Sequence, residues 1–486
     1  MDRVKKIISE YWLIVLICAQ PVLDVLAFFT RSEKGTAAGY IRLAVMMLLC
    51  LYVLFHVRTY KRFLPAAAAA AMILILHVVS CFWHGYLGFL SDTRMIVSML
   101  YLPAMAICFC CLIDTDHLRD QAVRGILICF GLETAVILLS VITGTYTNTY
   151  PEGIGISGWV IQENRCCHSD ILSSVCVFAG YLSVSTKKKW INVLGPAVCF
   201  LLLITNGTTV SYVTLLAICA GFPVFLLFRS FVIKEKLDSS QRIVSVTMAI
   251  LFAVSVAVFP WTPRYKMDEI KRSFFDDREE KFAAEMDALG YNVYQMTLDD
   301  IFSDEVAHDH FVYYYKRFVF GSVDPLGRNF DFDRIIRAYN GTVNADILGD
   351  TRDMKNVYVR FIFEDSDFLS RMFGIEYDSI GEDKVYDLEN DWFGILYYLG
   401  YFGFALTVLA VLYLFFRIAV LLKENFRNSL TDLNFTLFMG FFMQLGMAYF
   451  SGAVMRRPNA SIYVALFIAL IFYNTRTNTF GRRKEK

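Results

Sequence analysis

Cysteine stops at position 219. All twelve cysteines lie between Cys18 and Cys219, mostly inside apolar runs, and none follows in the polar stretch that begins near residue 262. Whatever folds there folds without disulfides. Histidine is scarce, at seven in 486 residues, which leaves little material for a histidine-rich metal centre. His308 and His310, in the triplet HDH, have no further ligands at metal spacing. Cys166-Cys167 and Cys108/Cys110/Cys111 resemble metal spacing but read as small apolar packing residues in helices. No GxxxxGK[ST] is present, no GxGxxG between strand and helix, and no HExxH. A nucleotide-driven or zincin-type chemistry therefore has no motif to stand on. Basic clusters are short, such as Lys187-Lys188-Lys189, so a nucleic-acid partner is not expected. Charged residues make up 19% of the chain, below the usual quarter of a soluble domain.

What fills the space is apolar sequence in long runs. Hydrophobic residues are 56% of the chain and the mean hydropathy is +0.48. Runs of about 17–25 apolar residues recur, each enough to cross roughly 30 Å of hydrocarbon as a helix. Only helices and closed barrels satisfy their backbone groups in lipid, and buried strands of soluble enzymes are far shorter. The fold class expected is an all-α polytopic membrane protein with about twelve transmembrane helices and one large extracytoplasmic loop domain. The spans fall at 12–29, 39–57, 63–82, 91–113, 123–143, 166–184, 190–206, 209–230, 243–261, 391–415, 433–455 and 458–474. The pairs 190–206/209–230 and 433–455/458–474 are tight enough to hide a re-entrant element. The first run reads as a span rather than a cleaved leader, because no clear small-x-small site follows it. No internal repeat stands out.

Lys and Arg in the short connections orient the chain. With the N-terminus in the cytoplasm, that side collects Arg58/Lys61/Arg62, Arg119/Arg124, Lys187–Lys189, Lys234/Lys236/Arg242, Lys423/Arg427 and the basic tail. Both termini are then cytoplasmic in a multi-pass protein of the cell membrane. The expected domains are residues 1–261 with nine spans, an extracytoplasmic domain at 262–390, three spans at 391–474, and a basic cytoplasmic tail at 475–486. Net charge is zero overall, yet residues 262–388 hold 27 Asp/Glu against 16 Lys/Arg. Aromatics spaced among those charges argue for a folded domain rather than a disordered tether. Within it, DEIKRSFFDDREEKFAAEMDALG reads as an amphipathic helix ending at Gly290, and VYVRFIF as strand-like or tightly packed.

Polar groups beside hydrocarbon are expensive and call for a role. Glu389, Asn390 and Asp391 stand directly before the tenth span; Asp391 is the natural helix cap, which leaves Glu389 to face a substrate. Arg94 lies near the outer mouth of the fourth span, where it either snorkels to headgroups or clamps a diphosphate. Asn164, Arg165 and His168 gather at the mouth of the sixth span. Arg352, Arg360 and Arg371 punctuate the acidic segment, with surface ion pairs as the plain alternative. Asp24, Arg42 and Glu133 sit within spans, where each binds a neighbouring helix or lines a cavity. Such machinery at the lip of a bundle suits a substrate with a polyprenyl tail, a diphosphate and a sugar. Glycosyl transfer from that donor needs a base for the acceptor hydroxyl and positive charge where the diphosphate departs; neither cofactor nor metal is required.

Three pieces carry a resemblance. LSRMFGIEYDSIGEDKVYDLENDWFGILYYLGYFGFA, at 369–405, holds Gly374, Asn390, Gly400 and Gly403 in an apolar-Gly step, a polar-Asn pair and a Gly-x-x-Gly turn. GISGWVIQENRCCHSDILS ends a loop on Asn164 just before a span. LLLITNGTTVSYVTLLAI places a short turn between two spans. Together with the topology, these make the chain similar to the O-antigen ligase and O-antigen polymerase superfamily, in its Gram-positive form. The resemblance implies an extracytoplasmic glycosyltransferase, polymerase or ligase, using a polyprenyl-diphosphate (undecaprenyl-diphosphate-type) glycan donor and a glycan acceptor at the bilayer in cell-envelope polysaccharide biosynthesis. Glu389 stands where ligases of the superfamily commonly carry a histidine, and the family arginines fall on Arg352 or Arg360. A transporter or flippase of lipid-linked oligosaccharide is the competing expectation, and two similar halves would favour it.

Overall fold

The computed structural model describes residues 2–30, 37–85, 87–161, 165–234, 236–319, 324–377, 388–452 and 454–479. Among them, twelve helices are long and apolar enough to cross a membrane. Nine come first: α1 (Asp2–Phe29), α2 (Ala37–His56), α3 (Leu64–Trp83), α4 (Phe89–Leu112), α5 (Asp116–Ile142), α6 (Arg165–Ser185), α7 (Lys189–Asn206), α8 (Thr209–Ile233) and α9 (Ser239–Ala257). Eight mostly short helices follow: α10 (Pro263–Ala288), α11 (Leu298–Ser303), α12 (Glu305–Lys316), α13 (Asp324–Asn329), α14 (Phe332–Ala338), α15 (Ala345–Leu348), α16 (Thr351–Asp365) and α17 (Phe368–Phe373). The chain then returns to long helices with α18 (Asp391–Ser429), α19 (Asp432–Phe450) and α20 (Pro458–Thr479). The protein is thus an all-α polytopic membrane protein with a large helical insertion between its ninth and tenth spans.

Every expected span is present, and several helices are longer than their apolar runs, the first, fifth and tenth most of all. The fifth begins at Asp116 rather than near 123, because the Thr115 hydroxyl accepts from Leu118 N and caps a polar first turn. The tenth reaches Ser429 rather than 415. Its 39 residues measure about 58 Å at 1.5 Å per residue, well beyond the hydrocarbon thickness. Both tight pairs are true helix pairs. Between α7 and α8, Gly207 takes φ +72 and Thr208 caps the next helix through its side chain, so two residues suffice for the reversal.

The chain divides into two compact units. The first contains residues 1–69, 96–266 and 406–486. Its interior helices are α6 and α20, whose spanning windows are 89% and 83% buried. The α6 sequence, CCHSDILSSVCVFAGYLSVS, is rich in Ser and Cys and places Ala179 beside Gly180, small residues that let neighbouring backbones approach. A methyl at Gly180 would collide with the Phe222 ring of α8. Around it, Phe109, Phe178, Phe441 and Phe467 join Leu, Ile and Cys side chains in one apolar core.

The second unit contains residues 70–95 and 267–405. Phe282 of α10 stacks on Tyr314 of α12 with centroids 4.1 Å apart. The Tyr314 and Tyr315 hydroxyls donate to the Val343 and Thr342 carbonyls at 2.8 Å. Part of the acidic excess has a structural cause: Asp304, Asp331, Asp350 and Asp367 each cap a helix N-terminus, where a carboxylate satisfies free N–H groups. The helix expected to end at Gly290 ends at Ala288, and Gly290 turns the chain just beyond it at φ +88. VYVRFIF is not a strand. It lies inside α16, where Met354, Val357, Tyr358 and Phe361 are buried at helical spacing.

Candidate functional site

Two polar clusters stand out, one in each unit. In the second unit, α16 begins at the Asp350 cap, whose side chain accepts from Arg352 N. The helical period then sets Arg352 and Lys355 on one face. Glu389 lies between them. Its Oε2 accepts from Arg352 Nε at 2.6 Å and its Oε1 from Lys355 Nζ at 3.3 Å. The carboxylate is about one third exposed and Arg352 about half exposed, so the cluster is open to solvent. Beside it on α16, burial raises the Asp353 carboxyl above the usual range; the Asp350 charge raises it further and the Arg360 charge lowers it.

The start of α18 differs from the sequence expectation in one respect. Asn390 is the cap: its side-chain oxygen accepts from Phe393 N at 3.1 Å and its carbonyl from Gly394 N at 2.9 Å. Asp391 is the first residue of the helix and is fully buried. The amide takes the cap because it stands one residue outside the helix, where its oxygen reaches the free N–H groups.

The segment leading toward this mouth is held by its backbone. Ile375 N donates to Tyr397 O at 2.9 Å, and Gly374 and Gly400 both have positive φ, +101 and +66. A side chain at Gly374 would fall on the Tyr398 carbonyl, and one at Gly400 on the Met372 carbonyl. Two glycines of the 369–405 motif are therefore there to let two backbones touch. Glu376 accepts from the backbone N–H groups of Leu87 and Gly88. Asp92 Oδ1 accepts from Tyr377 N at 3.0 Å, and His77 Nδ1 donates to the Phe373 carbonyl at 2.9 Å.

The other sequence candidates of this unit lie apart from Glu389. Arg360 is eight residues along α16 from Arg352, about 12 Å of helix rise; its Nε is 3.7 Å from Glu364 Oε1 and its guanidinium lies 5.6 Å from the Phe361 ring. Arg371 is half-buried in the last turn of α17. Arg94 is exposed on the second turn of α4. His308 and His310 do not converge: His308 Nε2 meets Asp333 at 2.7 Å, while His310 Nδ1 meets the Val306 carbonyl at 2.8 Å.

In the first unit, the groups singled out inside spans do come together. Arg42 on α2 donates to Asp24 at 2.9 Å and to the side chain and backbone of Gln20 at 2.9 and 3.1 Å, all on α1. His168 on α6 pairs with Glu133 on α5 at 3.2 Å. Asp24, His168 and Asn459 line one small cavity of about 10 Å³, room for about one water. On the same helix as His168, Asp170 accepts from the Ser451 hydroxyl at 3.1 Å, and the Ser169 hydroxyl donates to Asn206 Oδ1 at 3.0 Å. Of the expected mouth residues, Arg165 begins α6 with its side chain outside the described residues, and Asn164 lies outside them altogether. A separate groove of about 380 Å³ is lined by Tyr146, Asn148 and Thr205 together with Trp261, aromatics of the kind that favour a membrane interface.

A family model for O-antigen ligase like membrane proteins matches residues 6–477. The chain belongs to that family. No curated protein matches it. Within this O-antigen ligase-like protein, sequence reasoning missed Lys355, Glu376, His77 and Asp92. Lys355 was within reach of the sequence, since it follows Arg352 by three residues and shares its face once 351–365 is read as helix. Glu376 and Asp92 carried no such signal, because both bind backbone across long sequence separations.

Proposed function

We propose that the chain transfers glycan from a polyprenyl-diphosphate donor to a sugar hydroxyl outside the cytoplasm, as a polymerase or ligase in cell-surface polysaccharide biosynthesis. The observation that carries this reading is the hydrogen-bonded cluster of Glu389 with Arg352 and Lys355 at the start of α18. It supplies the two things the chemistry needs. Glu389 accepts the proton of the acceptor hydroxyl as its oxygen bonds to the anomeric carbon. Arg352 and Lys355 take the negative charge that develops on the diphosphate as the bond to that carbon breaks. The cations that hold the carboxylate at rest are those a diphosphate attracts, so donor binding exchanges their partner and releases Glu389 toward the acceptor. Asn390 fixes the helix start, and buried Asp391 supports it. Arg94, Asn164, Arg165, His168, Arg360 and Arg371 remain proposed donor-binding groups. The extracytoplasmic placement rests on the distribution of Lys and Arg in the short connections. The two compact units are unlike in size and content, which does not favour a transporter of two similar halves.

The test is Glu389→Gln in the native host, with membrane abundance held equal, followed by profiling of surface glycan and lipid-linked intermediates. Accumulated single repeats assign a polymerase, and accumulated long lipid-linked chains a ligase. Polymer of normal amount and length overturns the proposal.

A further inference from the structure

His77 and Cys81 are one helical turn apart on α3, and Asp92 stands in the first turn of α4. All three are buried, at 0%, 5% and 1% exposure. Their ligand atoms, His77 Nε2, Cys81 Sγ and Asp92 Oδ2, lie within 4.8 Å of one another. Nε2 is 3.1 Å from Oδ2 and 3.5 Å from Sγ.

The hydrogen-bond inventory of the imidazole sets a constraint. Nδ1 faces the Phe373 carbonyl, which only accepts, so Nδ1 carries a hydrogen. In the neutral ring Nε2 is then a bare lone pair, and it faces a carboxylate oxygen that also only accepts. A positive centre has to lie among these atoms, either a proton or a metal ion. The distances accommodate an ion. Zinc bonds of about 2.0 Å to nitrogen and oxygen and about 2.3 Å to sulfur give tetrahedral edges of about 3.3 Å for N···O and about 3.5 Å for N···S. The observed separations are close to both.

The outer contacts also have the form of a metal centre. The second nitrogen of a ligating histidine usually donates to a carbonyl or carboxylate, and here it donates to Phe373. The non-ligating oxygen of Asp92 is fixed by Tyr377 N at 3.0 Å. We infer that His77, Cys81 and Asp92 bind one divalent transition-metal ion of the zinc type. The ion ties α3 to the start of α4. Through the outer bonds of His77 and Asp92 it also fixes residues 373–377. Its binding does not depend on the proposed glycosyl transfer.

The experiment uses the full chain purified in detergent, stripped with chelator and titrated with Co²⁺ and with Zn²⁺. One equivalent of Co²⁺ binds and produces a thiolate-to-cobalt charge-transfer band in the near ultraviolet, and one equivalent of Zn²⁺ abolishes it. The band disappears in Cys81→Ala and Asp92→Asn and persists in Cys110→Ala. Wild-type protein that takes up no Co²⁺, or shows no thiolate band, overturns the inference and leaves a protonated His77–Asp92 pair. A band that survives Cys81→Ala overturns the ligand assignment. Because the decisive reading is on the wild-type chain, poor folding of a variant does not rescue the inference.

Discussion

Arg42 offers the most quantifiable perturbation. It is 5% exposed and makes three hydrogen bonds across the α1–α2 contact, one to Asp24 and two to Gln20. Arg42→Met removes the cation and leaves the Asp24 carboxylate, 17% exposed, without its counter-charge. Breaking one side of a buried pair costs about 3–5 kcal/mol. The double variant Asp24→Leu/Arg42→Met removes both charges and sacrifices only the bonds to Gln20, worth about 1 kcal/mol each. Both variants lose those bonds, so the double variant is expected to be more stable than the single variant by about 3–5 kcal/mol, a non-additivity that only coupled neighbours produce. Equilibrium unfolding in mixed micelles measures all four corners of the cycle. A single variant as stable as the double one would refute the reasoning, because it would mean that Asp24 does not depend on Arg42.

Three further outcomes follow from particular contacts. Gly400→Ala places a methyl on the Met372 carbonyl at a residue with φ +66; the left-handed backbone alone costs about 1–2 kcal/mol, so the thermal midpoint falls, and an unchanged midpoint contradicts the close approach. Arg352→Ala and Lys355→Ala each weaken donor binding, and the two together weaken it little more than additively if each cation meets the diphosphate separately; donor titration by initial rates measures this. The Tyr291 hydroxyl bond, aided by Ala307 N and Val306 N, holds the Asp304 carboxyl below its usual 3.8. A depressed acid contributes stability that is present above its unfolded pKa and lost as pH falls through the folded one. Near-ultraviolet circular dichroism of the buried tyrosines, followed below pH 3.8, is expected to show a shallower acid limb in Asp304→Asn; an unchanged limb contradicts the assignment.

The spans were legible because an unbroken run of about twenty apolar residues is far longer than any buried strand needs and matches the thickness of hydrocarbon. What lay beyond the apolar runs was not. Hydropathy does not register the polar first turn that Thr115 caps, or the charged last turns of α18. The misreading of α16 has a specific cause. Its alternating β-branched and aromatic residues, VYVRFIF, carry strand propensity, and only the wider set Met354, Val357, Tyr358 and Phe361 reveals the helical face. That error hid Lys355 beside Arg352. Asn390 and Asp391 are equally good caps by composition, and the register of α18 decides between them. Asp24, Arg42, Glu133 and His168 were each conspicuous as polar groups near hydrocarbon, but their pairing as Asp24–Arg42 and Glu133–His168 needed the packing of α1, α2, α5 and α6. His77, Cys81 and Asp92 were beyond sequence reasoning, since the third member joins the first two only through the α3–α4 hairpin.

Glycan transfer by the purified chain, reconstituted in liposomes with a polyprenyl-diphosphate-linked oligosaccharide and a sugar acceptor, is the most direct measurement. With general-base action by Glu389, Glu389→Gln lowers the turnover number by about 10²- to 10⁴-fold while donor binding persists through Arg352 and Lys355. Turnover within a few-fold of the unmodified protein, at equal helical content, would contradict the assignment of Glu389 and with it the proposed chemistry.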